Sequence, residues 1–253
     1  MAEPTAFRKR ARLVFLALVL LAPLALLAAD AFSRARPAAR QGFRIVTVNV
    51  DTRPFEVAES LRAIAPDIVL MQETSVSCEQ AAHALGFEFL DGSDQCILSR
   101  WQLTETRVSW PGPWQPPQLA KAVSPAGPIT LVNARLAIPE AIAALATLGS
   151  QWYTERQRQD QYPALRRLIG DASPAIVCGD FNAFPFEVDL GARLRDAWSR
   201  HAYGATFPAR LPAARIDHCW ATPELSIRSS WTQLVPSDHR ALVVEFALGG
   251  DRN

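Results

Sequence analysis

The sequence predicts an α/β domain of catalytic size, and three observations carry that prediction. Short apolar runs rich in β-branched residues recur along the chain and stop abruptly in polar residues, as the buried strands of α/β proteins do. Strand, helix and strand patterns follow one another between Phe43 and Thr74. The chain has 253 residues, 49% of them hydrophobic, and its composition does not shift after residue 42. That is enough for one domain with a large core, read as residues 43–248, with a short tail at 249–253.

The elements read as follows. Phe43 to Val48 is a β-branched run, ending in Asn49-Val50-Asp51. Pro54 to Ala65 has helical periodicity, with Val57, Leu61 and Ile64 on one face, and Pro66-Asp67 ends it. Ile68 to Met71 is a second buried strand, ending in Gln72-Glu73-Thr74. A short helix spans about Cys78 to Leu85, and Gly86–Leu90 and Gln95–Ser99 read as paired strands around Asp91-Gly92. Leu103 to Trp110 alternates as a further strand. The Pro-rich stretch from Trp110 to Pro117 suits neither a helix nor a central strand. It reads as a stiff aromatic surface loop, or as a wall against a substrate's apolar part or a bilayer. Ile129–Val132 is a strand running into Asn133-Ala134-Arg135-Leu136. Pro139 to Ile169 reads as largely helical, with a break at Pro163. Ala175 to Cys178 is a buried strand that ends in Gly179-Asp180-Phe181-Asn182. Asp196–Trp198 and Thr206-Phe207 are loop-like. Arg215–Ala221, Leu225–Trp231 and Ala241–Phe246 are the last strands, the final one preceded by Ser237-Asp238-His239-Arg240.

The amino terminus differs. Residues 1–12 are basic, with Arg8, Lys9, Arg10 and Arg12, and an uninterrupted apolar run spans Leu13 to Ala29. As a helix it would be roughly 26 Å long, just short of a ~30 Å hydrocarbon core. It is expected to be a retained single-pass anchor. The alternative is a signal-peptide core cleaved at Ala29-Asp30-Ala31, leaving a secreted or periplasmic protein. Both place the following domain outside the cytoplasm, because the basic cluster precedes the span. Residues 30–42 form a polar linker.

The four cysteines show no C-x-x-C spacing, which argues against a zinc knuckle. Cys178 and Cys219 lie in apolar strands and read as buried thiols. Cys78 and Cys96, in more polar surroundings, are expected to pair in an oxidising compartment.

Asn49, Asp51, Glu73, Asp180, Asn182, Asp217, Asp238 and His239 all fall at strand ends. Alone, each is a turn former, a cap or a solvated charge. Their recurrence at equivalent places points to one shared site. His83 reads as a surface or packing residue, and His201 carries no assignment. His218, on the opposite strand face from Asp217, reads as structural.

The ordered set Val48-Asn49-Val50-Asp51, Gln72-Glu73-Thr74, Ile97–Arg100, Gly179–Asn182, Ile216–His218 and Ser237–His239 resembles the endonuclease/exonuclease/phosphatase superfamily over residues 43–248. The resemblance implies a four-layer sandwich: two mixed β-sheets face to face with helices outside. It also implies a divalent-metal phosphoesterase. Glu73 would be the main metal ligand, with Asn49, Asp51 and Asp238 beside it. Asp180 would activate water and Asn182 would hold that water or a phosphate oxygen. His239, kept cationic by Asp217, would donate to the phosphate, and Asn49, Arg100 and Arg135 would contact it. Relatives often carry Asn-x-His-Leu where this chain has Asn133-Ala134-Arg135-Leu136. Arginine cannot act as a proton donor there at neutral pH.

Hard oxygen ligands suit Mg²⁺ or Mn²⁺. The expected substrate is a phosphodiester: nucleic acid, a phospholipid headgroup or a small diester. A net charge of +1, from 26 basic and 25 acidic residues, gives no global pull toward nucleic acid. A phosphomonoesterase, or a membrane-tethered binding module without turnover, are the competing readings. The chain is expected to be a monomer.

Overall fold

The computed structural model of the chain describes residues 31, 40, 42–108, 116–138, 155–199 and 203–247, the backbone alone for 155–159. Twelve strands form two six-stranded sheets. The first sheet has the order β11-β12-β1-β2-β4-β3. Its strands are β1 (Phe43–Asn49), β2 (Ile68–Gln72), β3 (Glu88–Asp91), β4 (Gln95–Ser99), β11 (Ile227–Gln233) and β12 (Ala241–Phe246). The second sheet has the order β5-β6-β7-β8-β10-β9. Its strands are β5 (Leu103–Val108), β6 (Gln118–Ser124), β7 (Gly127–Arg135), β8 (Ala175–Asp180), β9 (Arg195–Asp196) and β10 (Asp217–Ala221). Among the described residues they are accompanied by the helices α1 (Pro54–Leu61), α2 (Glu79–Leu85) and α3 (Glu155–Ile169).

Strand alternation builds the layers. Phe43 and Ile45 of β1 point into the core between the sheets, with Ile68, Leu70, Leu131, Ile176 and Val244. The intervening Val46 and Val48 point outward and pack with Val57, Ala58 and Leu61 of α1 and Ala81 and Ala82 of α2. On the far side Val132, Ala134, Ala175 and Val177 pack against Leu165 and Ile169 of α3. The result is helix, sheet, sheet, helix, as the sequence led us to expect. Pro163 lies inside α3 and does not end it. Burial of Leu165 and Ile169 beyond it outweighs the lost backbone bond.

Each sheet is mixed about one parallel pair. β1 runs parallel to β2, and β7 parallel to β8. The carboxyl ends of these four strands therefore lie at one edge of the sandwich. β12 and β10 run antiparallel to β1 and β8, so they begin at that same edge.

Two disulfides brace the sheets. Cys78, before α2, is joined to Cys96 on β4. Cys178 and Cys219 face each other in the β8–β10 register, Cα atoms 4.0 Å apart, and are joined as well. Sequence had read this second pair as separate buried thiols. The pairing of β8 with β10 is what brings them together.

Among the described residues no helix is long and apolar enough to cross a membrane. The apolar run 13–29, most of the Trp110–Pro117 loop, His201 and residues 139–154 lie outside the described residues.

Candidate active site

The gathered edge carries the polar groups. β8 delivers Asp180, which is 1% exposed, and β10 opens opposite it with Asp217, which is fully buried. The residue before Asp180 is glycine for a steric reason. Gly179 has φ +154°, and a Cβ there would fall 1.7 Å from the carbonyl oxygen of Ala134 on β7. Close approach of β7 and β8 thus fixes where the Asp180 carboxylate emerges.

The two sheets meet through hydrogen bonds. Asn49, at the end of β1, donates its amide to Glu73 Oε1 (2.8 Å) and to Asp180 Oδ2 (3.1 Å). The backbone N–H of Asn182 donates to Asp180 Oδ1 at 3.0 Å. The Asn182 side chain donates to the carbonyl of Leu136 at 2.9 Å, which ties the β8 turn to the end of β7. His239 Nδ1–H donates to Asp217 Oδ2 at 2.8 Å. Ser237 holds the histidine loop in place: its hydroxyl donates to the carbonyl of Asn49 (2.7 Å) and accepts from the backbone N–H of His239 (3.0 Å). The ring of Phe207 covers His239 with centroids 4.8 Å apart.

Two charge states follow. Burial, then repulsion from Asp217, pushes the Asp180 carboxyl up to about 6. Burial alone would lower His239, but the charge and hydrogen bond of Asp217 outweigh it and raise the imidazole to about 10. At neutral pH Asp180 is a carboxylate able to take a proton and His239 is a cation able to donate.

The donor set fits a divalent cation. Asp217 Oδ1 is buried without a partner, and Asp180 carries a charge that burial penalises. Asp180, Asp217 and His239 bring ligand atoms within 4.8 Å of one another. A cationic imidazole has no free lone pair, however. Carboxylate and amide oxygens, such as those of Glu73 and Asn49, remain able to hold such an ion.

Other expected residues sit elsewhere. Arg100 follows β4, whose last residue Ser99 pairs with Ile68 at the start of β2. That is the opposite edge of the sandwich, where Arg100 binds Asp67 at 3.1 Å. It is not a phosphate ligand of this site. Asp51 turns its carboxylate to Arg53 at the surface and is 43% exposed. Asp238 is exposed; its carboxylate accepts the Ser237 hydroxyl at 3.4 Å, and its backbone carbonyl accepts the N–H of Ala209. Neither carboxylate joins the Asn49–Glu73–Asp180 cluster. Arg135 reaches the site, but its guanidinium pairs with Glu73 and with Asp94 (2.9 Å) rather than standing free for phosphate.

Sequence reasoning did not single out Asp94, and it gave no role to Gln72, Asn133 or Ser237, although they stand in the pieces it quoted. Asn133 is fully buried between the sheets. Its amide donates to Met71 O (2.9 Å), Cys96 O (3.0 Å) and Gln118 Oε1 (3.1 Å), and its oxygen accepts from Gln72 (2.7 Å). This network sets the two sheets in register beneath the site. Polar residues inside otherwise apolar strands were the available signal. His218 is structural: buried, its Nε2–H donates to the carbonyl of Ala183 at 2.8 Å. His83 is exposed on α2. A separate cavity lined by Arg166, Ile169, Leu190 and Leu194 lies beside α3, away from these groups.

The sequence profile described as the Endonuclease/Exonuclease/phosphatase family matches residues 46–239. The chain belongs to the Endonuclease/Exonuclease/phosphatase family. Like the family, it is a hydrolase of phosphate esters that depends on a divalent metal. No curated protein matches it by sequence. Among solved structures it is similar to a humanized D. rerio TDP2, at 18% identity and TM-score 0.64, over 81% of this chain and 98% of that one. It is similar to an AP endonuclease from Archaeoglobus fulgidus, at 20% identity and TM-score 0.64, over 81% and 99%. A 3'-5' exonuclease (NExo) from Neisseria meningitidis aligns at 19% identity and TM-score 0.63, over 81% and 100%. At these identities the likeness is one of fold.

Proposed function

We propose that this enzyme hydrolyses a phosphodiester by attack of water, at or beyond a membrane and outside the cytoplasm. The observation that carries this is the continuous chain Glu73–Asn49–Asp180, which crosses the seam between the sheets, with the Asp217–His239 pair crossing it alongside.

A diester is anionic and repels hydroxide, so its hydrolysis needs cations at the non-bridging oxygens and a poised base. A divalent cation held by Glu73 and Asn49 would neutralise charge on the phosphate. Asp180, ionised above about pH 6, takes the proton of the attacking water. Asn182 holds the Asp180 carboxylate through its backbone N–H. His239 donates from Nε2 to a phosphate oxygen as charge builds, and Asp217 keeps the ring charged and oriented.

A compact diester, such as a lipid headgroup or a small molecule, suits the surface better than a long nucleic-acid strand. Some surface arginines are spent on acids, Arg53 on Asp51, Arg166 on Asp189 and Arg193 on Asp171, and a net charge of +1 leaves no general basic excess. A polymer's phosphates need arginines and lysines left free to meet them. NExo has been crystallised as a 3' phosphatase bound to product DNA hairpin, so DNA belongs in the test. Two disulfides support an oxidising compartment, consistent with anchoring through residues 13–29.

The test uses the full chain in detergent. An aryl phosphodiester should turn over with Mg²⁺ or Mn²⁺, stop with chelator and resume when metal is restored. Cleavage that ignores chelator would remove the mechanism. A panel of DNA, RNA, sphingomyelin, phosphoinositide and an aryl phosphomonoester then ranks substrates. DNA or RNA at the top would overturn the compact-diester reading.

A further inference from the structure

Arg135 places a fixed cation inside the ligand set. It is the last residue of β7, and its side chain is 23% exposed. One terminal nitrogen pairs with Glu73 Oε1 and the other with Asp94 Oδ2 at 2.9 Å. Asn49 donates to that same Glu73 oxygen at 2.8 Å. Two donors therefore hold Oε1, and among the described residues none reaches Oε2. Asp94 is in turn bound by the backbone N–H of Ser75 (3.2 Å), just past β2. The fork of Arg135 thus ties the ends of β7 and β2 together, and it does so through the acid that the metal would use.

Charge sharpens the point. Glu73, Asp94, Asp180 and Asp217 formally carry four negative charges, and Arg135 and His239 two positive ones. Two negative charges remain, which one divalent ion cancels. Asp51 is paired with Arg53, and Asp238 faces solvent, where water screens its charge; both are left out of this count.

We propose that Arg135 is a built-in competitor of the divalent ion for Glu73, which loosens metal binding and leaves the site room for a single ion. The proposal rests on reading this cluster as the metal site. A guanidinium sharing a carboxylate with a dication repels it and occupies one of its ligand oxygens. Histidine at this position would be neutral at pH 8 and exert no such repulsion.

The experiment is calorimetric titration of Mn²⁺ into the full chain in detergent, with no substrate present. Arg135→Gln should bind Mn²⁺ at least tenfold more tightly than wild type. Arg135→Lys, which keeps the charge but loses the fork, should stay within a few-fold of wild type. Thermal melts in chelator confirm that both variants fold. If only Arg135→Lys folds, tightening of tenfold or more in that variant would refute a charge effect. Unchanged or weaker binding in Arg135→Gln overturns the proposal, and so does a second ion in wild type. Loss of inorganic phosphate binding with metal affinity unchanged would make Arg135 a phosphate clamp instead, and also overturns it. A wild type that binds neither Mn²⁺ nor Mg²⁺ at millimolar concentration would defeat the reading of the site itself. That result is distinct from wild-type binding that Arg135→Gln leaves unchanged.

Discussion

Asp217→Asn removes one charge from the pair that holds His239 cationic, and its effect can be worked out from the contacts. His239 sits at about 10 instead of 6.5, roughly 5 kcal/mol in favour of the charged ring. Burial pulls the other way and is the largest single influence. What overcomes it is chiefly Asp217, by charge and by the 2.8 Å hydrogen bond, with help from Asp180 and Asp238. Without that carboxylate burial prevails, and the imidazole should titrate near 6.5 or below. At pH 8 its protonated fraction then falls from nearly all to about 3%. The rate at pH 8 should drop about 30-fold from protonation alone, and further if the amide favours the wrong tautomer. Asp217 is also the second cause, after burial, of the raised Asp180. The acidic limb of the pH–rate profile should therefore move down together with the alkaline limb. Both are read from kcat/KM between pH 5 and 10.5. Nitrogen-15 NMR of the imidazole gives the His239 titration directly. An alkaline limb that stays near 10 in the variant would refute the reasoning.

Three further outcomes are expected. Asp180→Asn should lower single-turnover rates by about 10²–10⁴-fold, as loss of a general base does, while circular dichroism stays unchanged. Asn133→Ala should cost about 2–4 kcal/mol in urea denaturation, because it orphans carbonyls of both β2 and β4 deep between the sheets. Burial, then the Arg215 charge, lowers His218 from 6.5 to about 4, so the folded state holds this ring neutral. Its contribution is complete above pH 6.5 and is lost as pH falls toward 4, by up to roughly 3 kcal/mol. His218→Asn should flatten that part of the stability curve.

The strand-end acids were legible because parallel pairing sends the carboxyl ends of β1, β2, β7 and β8 to one edge, and an apolar run that stops in a carboxylate marks such an end. Strand direction was not legible. Gln95–Ser99 reads the same whichever way it runs, and its antiparallel pairing with β2 carries Arg100 to the far edge and brings Asp94 to the site. The alternation of leucine, alanine and lysine in Gln118–Ser124 gave no strand signal, since alanine and lysine are weak strand formers. Adjacency of β8 and β10, which joins Cys178 to Cys219, is a property of the sheet order alone.

The charge arrangement itself argues for turnover over passive binding. Asp180 and Asp217 face each other across β8 and β10, both buried, and Asp180 is held above its ordinary range by burial and by that neighbour. A carboxyl raised from 3.8 to about 6 costs the folded state roughly 3 kcal/mol once both states are ionised, at any pH above 6. The cost vanishes below pH 4. A module that only held an anionic ligand would be better served by asparagine at position 180, which lacks both the desolvation cost and the repulsion. Glu73 and Asp94 share the single charge of Arg135, so the fold has the means to offset acids where it needs to. Among the described residues no arginine pairs with Asp180, at the point where a water molecule would have to lose a proton.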